Sequence, residues 1–147
     1  MIKPDRKSIN RRNRRAGKNN EKKIAKILDG HVIPLSGAIK NSVFNLEGDI
    51  SIRTFSGAKE LLKVEAKTTS AITPKGERTF TLKKSVLDQA RQEADVNGSL
   101  GCVWIHWNNM SHERDDYIVV PSDHFIELVH LARLGAEAED RGFGDED

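Results

Sequence analysis

Two short stretches of alternating residues carry the side chains best suited to chemistry. Asp49 begins one stretch, residues 49–53, and Glu65 lies in the other, residues 61–67. A period of two is typical of β-strands, and the glycine and small polar residues of 54–60 are typical of a hairpin connection. If this hairpin is symmetric about Gly57, Asp49 lies opposite Glu65. The two carboxylates then share one face.

Paired carboxylates repel each other unless a cation lies between them, because opposite β-carbons in a hairpin are only about 5 Å apart. Oxygen ligands completed by water and phosphate suit Mg²⁺, with Mn²⁺ as a substitute, better than Zn²⁺. Lys67 projects from the same face as Glu65, and its ammonium is suited to orienting a water or offsetting charge on a phosphate. The alternative is an ordinary hairpin whose polar face meets solvent.

A third carboxylate, Glu21, lies on a predicted helix over residues 19–28, with Asn19 at or near its N-cap. The apolar stripe of this helix includes Ile24 and Leu28, and Glu21 precedes them by three and seven residues. Glu21 therefore lies on or beside the inward face. It is either a favourable partner for the helix dipole or a carboxylate directed at the same metal.

The ordered set Glu21, Ser36-Gly37, Gly48-Asp49-Ile50 and Val64-Glu65-Ala66-Lys67 resembles the PD-(D/E)XK nuclease core. Within that superfamily it is most similar to the archaeal-type Holliday-junction resolvases and their phage relatives. The resemblance covers about residues 10–121. The chain departs from the pattern at Gly48, where the superfamily has the proline of its name.

The resemblance implies a restriction-endonuclease-like fold and a role for each matching residue. Asp49, Glu65 and Glu21 would be ligands of Mg²⁺, Lys67 the catalytic lysine, and Ser36 part of a loop that approaches DNA at the scissile phosphate. It also implies a homodimer that makes paired cuts in four-way DNA junctions. Each cut would be a hydrolysis by metal-activated water.

Positive charge is concentrated at the N-terminus of the chain. Residues 1–26 contain eleven Lys or Arg against two acidic residues, a net charge of +9, so the remainder carries −7 of the total +2. Residues 1–18 have too few apolar side chains to pack, which predicts a flexible arm that binds a phosphate backbone. The alternative is a solubilising tail. The candidate DNA contacts in this arm are Arg11, Arg12, Arg14, Arg15 and Lys18.

The rest of the chain predicts one α/β domain over residues 19–134, a mixed central sheet flanked by helices, followed by an acidic, disordered tail over 135–147. The predicted order is a helix, three strands, a helix, two strands and a helix. After the first helix come strands 32–35, 49–53 and 61–67, helix 81–94, strands 101–107 and 117–120, and a helix capped by Ser122.

Several classes of protein and site are excluded or disfavoured. One cysteine, Cys102, permits neither an intrachain disulfide nor a cysteine zinc site. There is no apolar stretch near the roughly 20 residues that span a bilayer and no signal-peptide core, so we expect no membrane partner and a cytoplasmic protein. The five histidines show no metal-ligand spacing and are interpreted as structural or surface residues.

Three functions follow from these patterns. The first is a Mg²⁺-dependent endonuclease that resolves four-way junctions. The second is a nuclease of the same superfamily that acts on other DNA in repair or restriction. The third is a nucleic-acid-binding module without catalysis, in which Asp49 and Glu65 are surface residues.

Overall fold

A computed structural model describes residues 5–33 and 50–142 of the chain. The helices and strands follow one another along the chain in the predicted order. The elements are α1 (Arg6–Ile27), β1 (His31–Val32), β2 (Ile50–Arg53), β3 (Glu60–Thr69), α2 (Lys84–Val96), β4 (Leu100–Trp107), β5 (Tyr117–Val119) and α3 (Ser122–Gly142).

Within the described ranges, the strands form one five-stranded mixed sheet in the order β1-β2-β3-β4-β5. Neighbouring strands are antiparallel except for β3 and β4, which run parallel and are joined by a connection that contains α2. A parallel pair needs such a long crossover, because a tight turn reverses the chain. The predicted α/β fold class with a mixed sheet flanked by helices is therefore confirmed.

The two faces of β3 differ in chemistry, and each packs against a different helix. Val64 lies in a core with Ile24 of α1 and with Cys102 and Trp104 of β4. A second core lies on the other face, where Ala90 of α2 packs with residues of β4 that include Val103 and Ile105. Because side chains alternate along a strand, the odd-numbered residues 63, 65 and 67 of β3 lie on the α2 face.

The predicted register of the β2–β3 hairpin is confirmed over three pairs. Ile50 pairs with Val64, Ser51 with Lys63 and Ile52 with Leu62, so partner numbers sum to 114 as symmetry about residue 57 requires. The register shifts at the turn end, where Arg53 pairs with Glu60. Gly57 has a φ of +76°, a left-handed conformation that glycine adopts without steric cost.

Helix α1 begins at Arg6, so the prediction that this helix begins at Asn19 is wrong. The backbone oxygen of Asp5 accepts hydrogen bonds from Ser8 N and Ile9 N at 2.9 and 3.1 Å, which closes the first turn. Arginine, lysine and alanine are good helix formers, and the prediction counted only apolar residues. All described residues before Ala16 are exposed, so the first turns of α1 extend beyond the sheet.

Helix α3 begins at Ser122, as predicted, and continues to Gly142, past the predicted domain end at residue 134. Helix-forming Ala and Glu residues fill this extension, and Arg141 lies 3.9 Å from Glu137 one turn away. His124 is the one buried residue of this helix. Large apolar side chains of α3 stay exposed, among them Phe125 and Ile126.

Helix α2 approaches β4 closely at Gly101. A Cβ added to Gly101 would lie 2.6 Å from the backbone oxygen of Ala90 and 3.1 Å from the Cβ of Ala94. A Cβ at Gly135, in α3, would meet no atom within 4 Å. Helix and strand therefore pack closely only because residue 101 has no side chain.

We expect Gly101→Ala to destabilise the protein by about 1–3 kcal/mol, because a backbone atom of α2 must move to admit the methyl group. Gly135→Ala is the matched control and should be neutral or stabilising by up to about 1 kcal/mol, because alanine is the better helix former. Urea unfolding of both variants measures the difference. Equal midpoints for the two variants would contradict the close packing.

Candidate active site

Glu65 and Lys67 lie side by side on the α2 face of β3. The Nζ of Lys67 is 2.9 Å from Oε1 of Glu65. The side chain of Lys67 is 37% exposed and that of Glu65 is 18% exposed. Both therefore combine a fixed position with access from solvent. An adjacent carboxylate and ammonium are suited to hold a cation and a phosphate oxygen next to each other.

Two predicted site residues, Asp49 and Ser36, lie outside the described residues. The described strand β2 begins at Ile50, the residue after Asp49, and Ile50 pairs with Val64, the residue before Glu65. The register that the sequence analysis used to bring Asp49 opposite Glu65 is thus observed at the adjoining pair. The position of Asp49 itself stays a prediction.

Glu21 is half-buried on the inward side of α1, next to the buried Asn20 and one turn before Ile24. This confirms the prediction that Glu21 lies on or beside the buried stripe. Helix α1 covers the face of the sheet that carries Val64, whereas Glu65 and Lys67 project from the other face. The structure therefore does not bring Glu21 onto the face that Glu65 and Lys67 share.

A buried carboxylate, Glu60, lies at the start of β3 on the same hairpin. Its Oε2 accepts a hydrogen bond from Ser51 Oγ at 2.6 Å, and its Oε1 accepts one from Ser99 Oγ at 2.7 Å. Asn97 Nδ2 donates a longer bond of 3.4 Å to the same Oε1. Three donors from two segments thus replace the water that this 6%-exposed residue has lost.

The cation nearest to Glu60 is the ammonium of Lys63, which is itself 2% exposed and lies 3.9 Å from Oε1 of Glu60. Lys63 Nζ also donates to the backbone oxygen of Glu93 in α2 at 3.1 Å. Gln89 Nε2 in turn donates to Oε1 of Glu93 at 2.8 Å. These contacts join the hairpin to α2 through buried polar groups.

The sequence analysis missed this buried polar network. It assigned Glu60 to the hairpin connection and interpreted the polar face of the hairpin as either a metal site or a solvent-facing surface, whereas Ser51 and Lys63 are 7% and 2% exposed. The spacing of Glu93 contained a usable signal. Glu93 follows Ala90 by three residues and precedes Ala94, so it lies on the apolar stripe of α2.

The outward side of α1 is strongly basic. All ten of its Lys and Arg residues are exposed, and Glu21 is its one acidic residue. The candidate DNA contacts of the sequence analysis lie on this helix, at Arg11, Arg12, Arg14, Arg15 and Lys18. The basic side chains that the sequence analysis assigned to a flexible arm therefore lie on a helix from Arg6 onward.

A second polar cluster lies on the α1 face, and it includes two of the histidines that the sequence analysis interpreted as structural or surface residues. Within the described residues, His106, His112 and Asp116 bring one ligand atom each within 4.8 Å of the others. Spacings of six and four residues match no common metal motif. No local pattern predicts this cluster, because His112 and Asp116 come from the connection between β4 and β5.

Cys102 is excluded as a nucleophile by its environment. It is 2% exposed in the core on the α1 face, and burial raises the pKa of its thiol to about 12. The thiol is therefore protonated at neutral pH, whereas thiol chemistry requires the thiolate. The side chain instead lines an apolar cavity of about 590 Å³ between the sheet and α3, together with Val64, Trp104 and Phe125.

We expect Lys63→Met to lower the free energy of unfolding by about 3 kcal/mol, because it leaves Glu60 buried without its cation. Lys59→Met removes the same charge from an exposed position of the hairpin turn, and its effect should stay within about 0.5 kcal/mol. Urea titration at neutral pH measures both. A wild-type midpoint for Lys63→Met would show that the pair adds nothing to stability.

Comparisons with known proteins find no match for this chain, either among protein-family models or among curated proteins and solved structures. No helix in the described ranges combines the length and apolar character that crossing a lipid bilayer requires. The functional argument therefore depends on the residues themselves and on how the sheet and helices arrange them.

Proposed function

We propose that this protein is a metal-dependent endonuclease for branched DNA, with the four-way junction as its substrate. The observation that carries the proposal is the pair Glu65 and Lys67, held 2.9 Å apart on one face of β3 and accessible to solvent. The pairing of Ile50 with Val64 next to them supports the hairpin that the resemblance to PD-(D/E)XK resolvases requires.

In this proposal Glu65 and Asp49 would hold Mg²⁺, and the ion would supply polarisation of the phosphate and activation of the attacking water. The oxygen donors of two carboxylates fit Mg²⁺ or Mn²⁺. Lys67 pairs with Glu65 and directs its ammonium toward a phosphate oxygen or the water. Ser36 contacts the DNA, whereas Glu21, on the α1 face of the sheet, is not assigned to this centre.

The basic surface of α1 supports DNA as the partner. Ten exposed cations on one helix repel one another, and binding to a phosphate backbone relieves this repulsion. Because phosphate contacts position DNA without reading bases, this surface suits recognition of a branched shape.

Paired cuts in a junction require two active sites, and we propose a homodimer. The edge strand β5 and the helix α3 expose apolar side chains, including Tyr117 at 69%, Ile118 at 49% and Phe125 at 58%. An isologous contact of such a surface with a second copy would relate two sites by a two-fold axis. That symmetry matches the approximate two-fold symmetry of a four-way junction.

We expect wild-type protein with Mg²⁺ to make paired, symmetric nicks in a labelled four-way junction. Glu65→Gln and Asp49→Asn should each lower the cleavage rate at least about hundredfold, because each removes a ligand charge from the metal. Glu77→Gln, at an exposed loop position, is the matched control and should cut like wild type.

A matching linear duplex separates the alternatives. Equal cutting of duplex and junction would identify a general repair or restriction nuclease. Binding without cutting under either Mg²⁺ or Mn²⁺ would identify a non-catalytic DNA-binding module and overturn the proposal.

Substitutions in α1 test whether this helix contacts phosphates. Replacing Arg11, Arg12, Arg14 and Arg15 by Gln keeps good helix formers and removes four charges. If all four contact phosphates, the slope of log affinity against log salt should become less steep by roughly 3.6. Fluorescence anisotropy of a labelled junction across a salt series measures this slope.

The control for this experiment removes four charges elsewhere on the exposed surface, by replacing Lys59, Lys75, Lys84 and Arg133 with Gln. The net charge then changes equally in both variants. A smaller change in slope for the control assigns the phosphate contacts to α1. Equal changes would mean that the overall charge, rather than the helix, drives binding.

A further inference from the structure

We propose that His106, His112 and Asp116 form a binding site for a first-row divalent transition-metal ion such as Zn²⁺, separate from the nuclease centre. Imidazole nitrogen with one carboxylate is a donor set that such ions prefer over Mg²⁺. His106 belongs to β4, His112 to the following connection, and Asp116 directly precedes β5. An ion would fasten this connection to the sheet.

Two of the three proposed ligands are buried. The side chains of His106 and Asp116 are 7% and 2% exposed, and His106 Nδ1 lies 2.8 Å from Oδ1 of Asp116. Two atoms at this separation, each about 2.1 Å from one ion, subtend an angle of roughly 85° at the ion. That angle suits five or six coordination with positions left for water.

Hydrogen bonds from neighbouring residues hold Asp116 and His112. Trp104 Nε1 donates to Oδ2 of Asp116 at 2.7 Å, which leaves Oδ1 directed at His106. His112 Nε2 lies 2.8 Å from Oδ1 of Asn20 in α1. A proton on Nε2 donated to this oxygen leaves the lone pair of His112 on Nδ1. Such an outer contact selects the tautomer of a ligating histidine.

Two buried atoms near these ligands point independently to a missing polar partner. Among the described side chains, Asn20 Nδ2 and Thr68 Oγ1 are buried without a hydrogen-bond partner. Asn20 is 3% exposed and contacts His112 through its oxygen, and Thr68 pairs in register with His106. A water completing the coordination of the ion would accept a hydrogen bond from Asn20. It could also bond to the Thr68 hydroxyl.

Access from solvent also favours an ion. A cavity of about 430 Å³ lined by Lys23, Ser111, His112 and Glu113 opens beside the cluster.

Binding requires two local changes, and both are measurable. The rings of His106 and His112 stack with centroids 3.6 Å apart at 10°, so their lone pairs lie in nearly parallel planes. His112, half-buried in a turn, must rotate to direct its nitrogen at an ion beside Asp116. His106 must carry its proton on Nε2 instead of Nδ1, with no net proton gain or loss.

The test is calorimetric titration of the full chain with Zn²⁺ in the presence of Mg²⁺. We expect one Zn²⁺ per chain, with affinity at least tenfold weaker in His112→Ala and Asp116→Asn. His130→Ala, an exposed histidine of α3, is the matched control. Glu65→Gln is the control for the nuclease centre. Both should bind like wild type.

Two further readouts keep the proposal falsifiable if Asp116→Asn unfolds. The melting temperature of wild type should rise by about 5–10 °C at a Zn²⁺ concentration near one hundred times its dissociation constant, with no rise in His112→Ala. The NMR signals of the His106 ring should shift as the stack opens. Absence of tight Zn²⁺ binding in wild type, or unchanged affinity in His112→Ala, overturns the proposal.

Discussion

The burial of two charged side chains on one face of β3 constrains much of the surrounding structure. Glu60 and Lys63 are 6% and 2% exposed, and ions in that position are tolerated only when nearby groups solvate them. Ser51, Ser99 and the backbone of Glu93 provide this solvation. The hairpin register, the packing of α2 and the residues after α2 are thereby linked to one pair of charges.

The same strand separates two chemistries. Leu62, Val64 and Ala66 belong to an apolar core beneath α1. The alternate residues progress from the buried Lys63 to the more accessible Glu65 and Lys67. An accessible ion pair therefore begins two residues beyond a buried one. The buried pair holds the backbone in place, which leaves Glu65 and Lys67 available for a ligand without loss of their position.

Local patterns predicted the features that depend on neighbouring residues. The hairpin register follows from alternation and Gly57, the strand 101–107 corresponds to β4 within one residue, and α3 begins at Ser122 as predicted. The start of α1 was mispredicted because a scarcity of apolar residues indicates weak packing, and helix propensity acts independently of it. Exposed cations at residues 6–15 therefore occur on a helix.

Other features depend on contacts between distant residues, which periodicity does not reveal. Ser99 reaches Glu60 across 39 positions, and His112 reaches Asn20 across 92. Neither contact has a local signature. The candidate site is accordingly predicted in part: Glu65, Lys67 and the inward position of Glu21 come from pattern, whereas the buried network and the histidine cluster come from the fold.

The crossover between β3 and β4 has a consequence for the order of folding. The β2–β3 hairpin closes over a short turn, whereas pairing Leu62 with Leu100 closes a much longer loop, and the loss of chain entropy grows with loop length. A hairpin formed first carries Glu60 and Lys63 while water still reaches them. Glu60 and Lys63 then lose their water when α2 docks. The slow, non-local step therefore also includes the free-energy cost of burying these two charges.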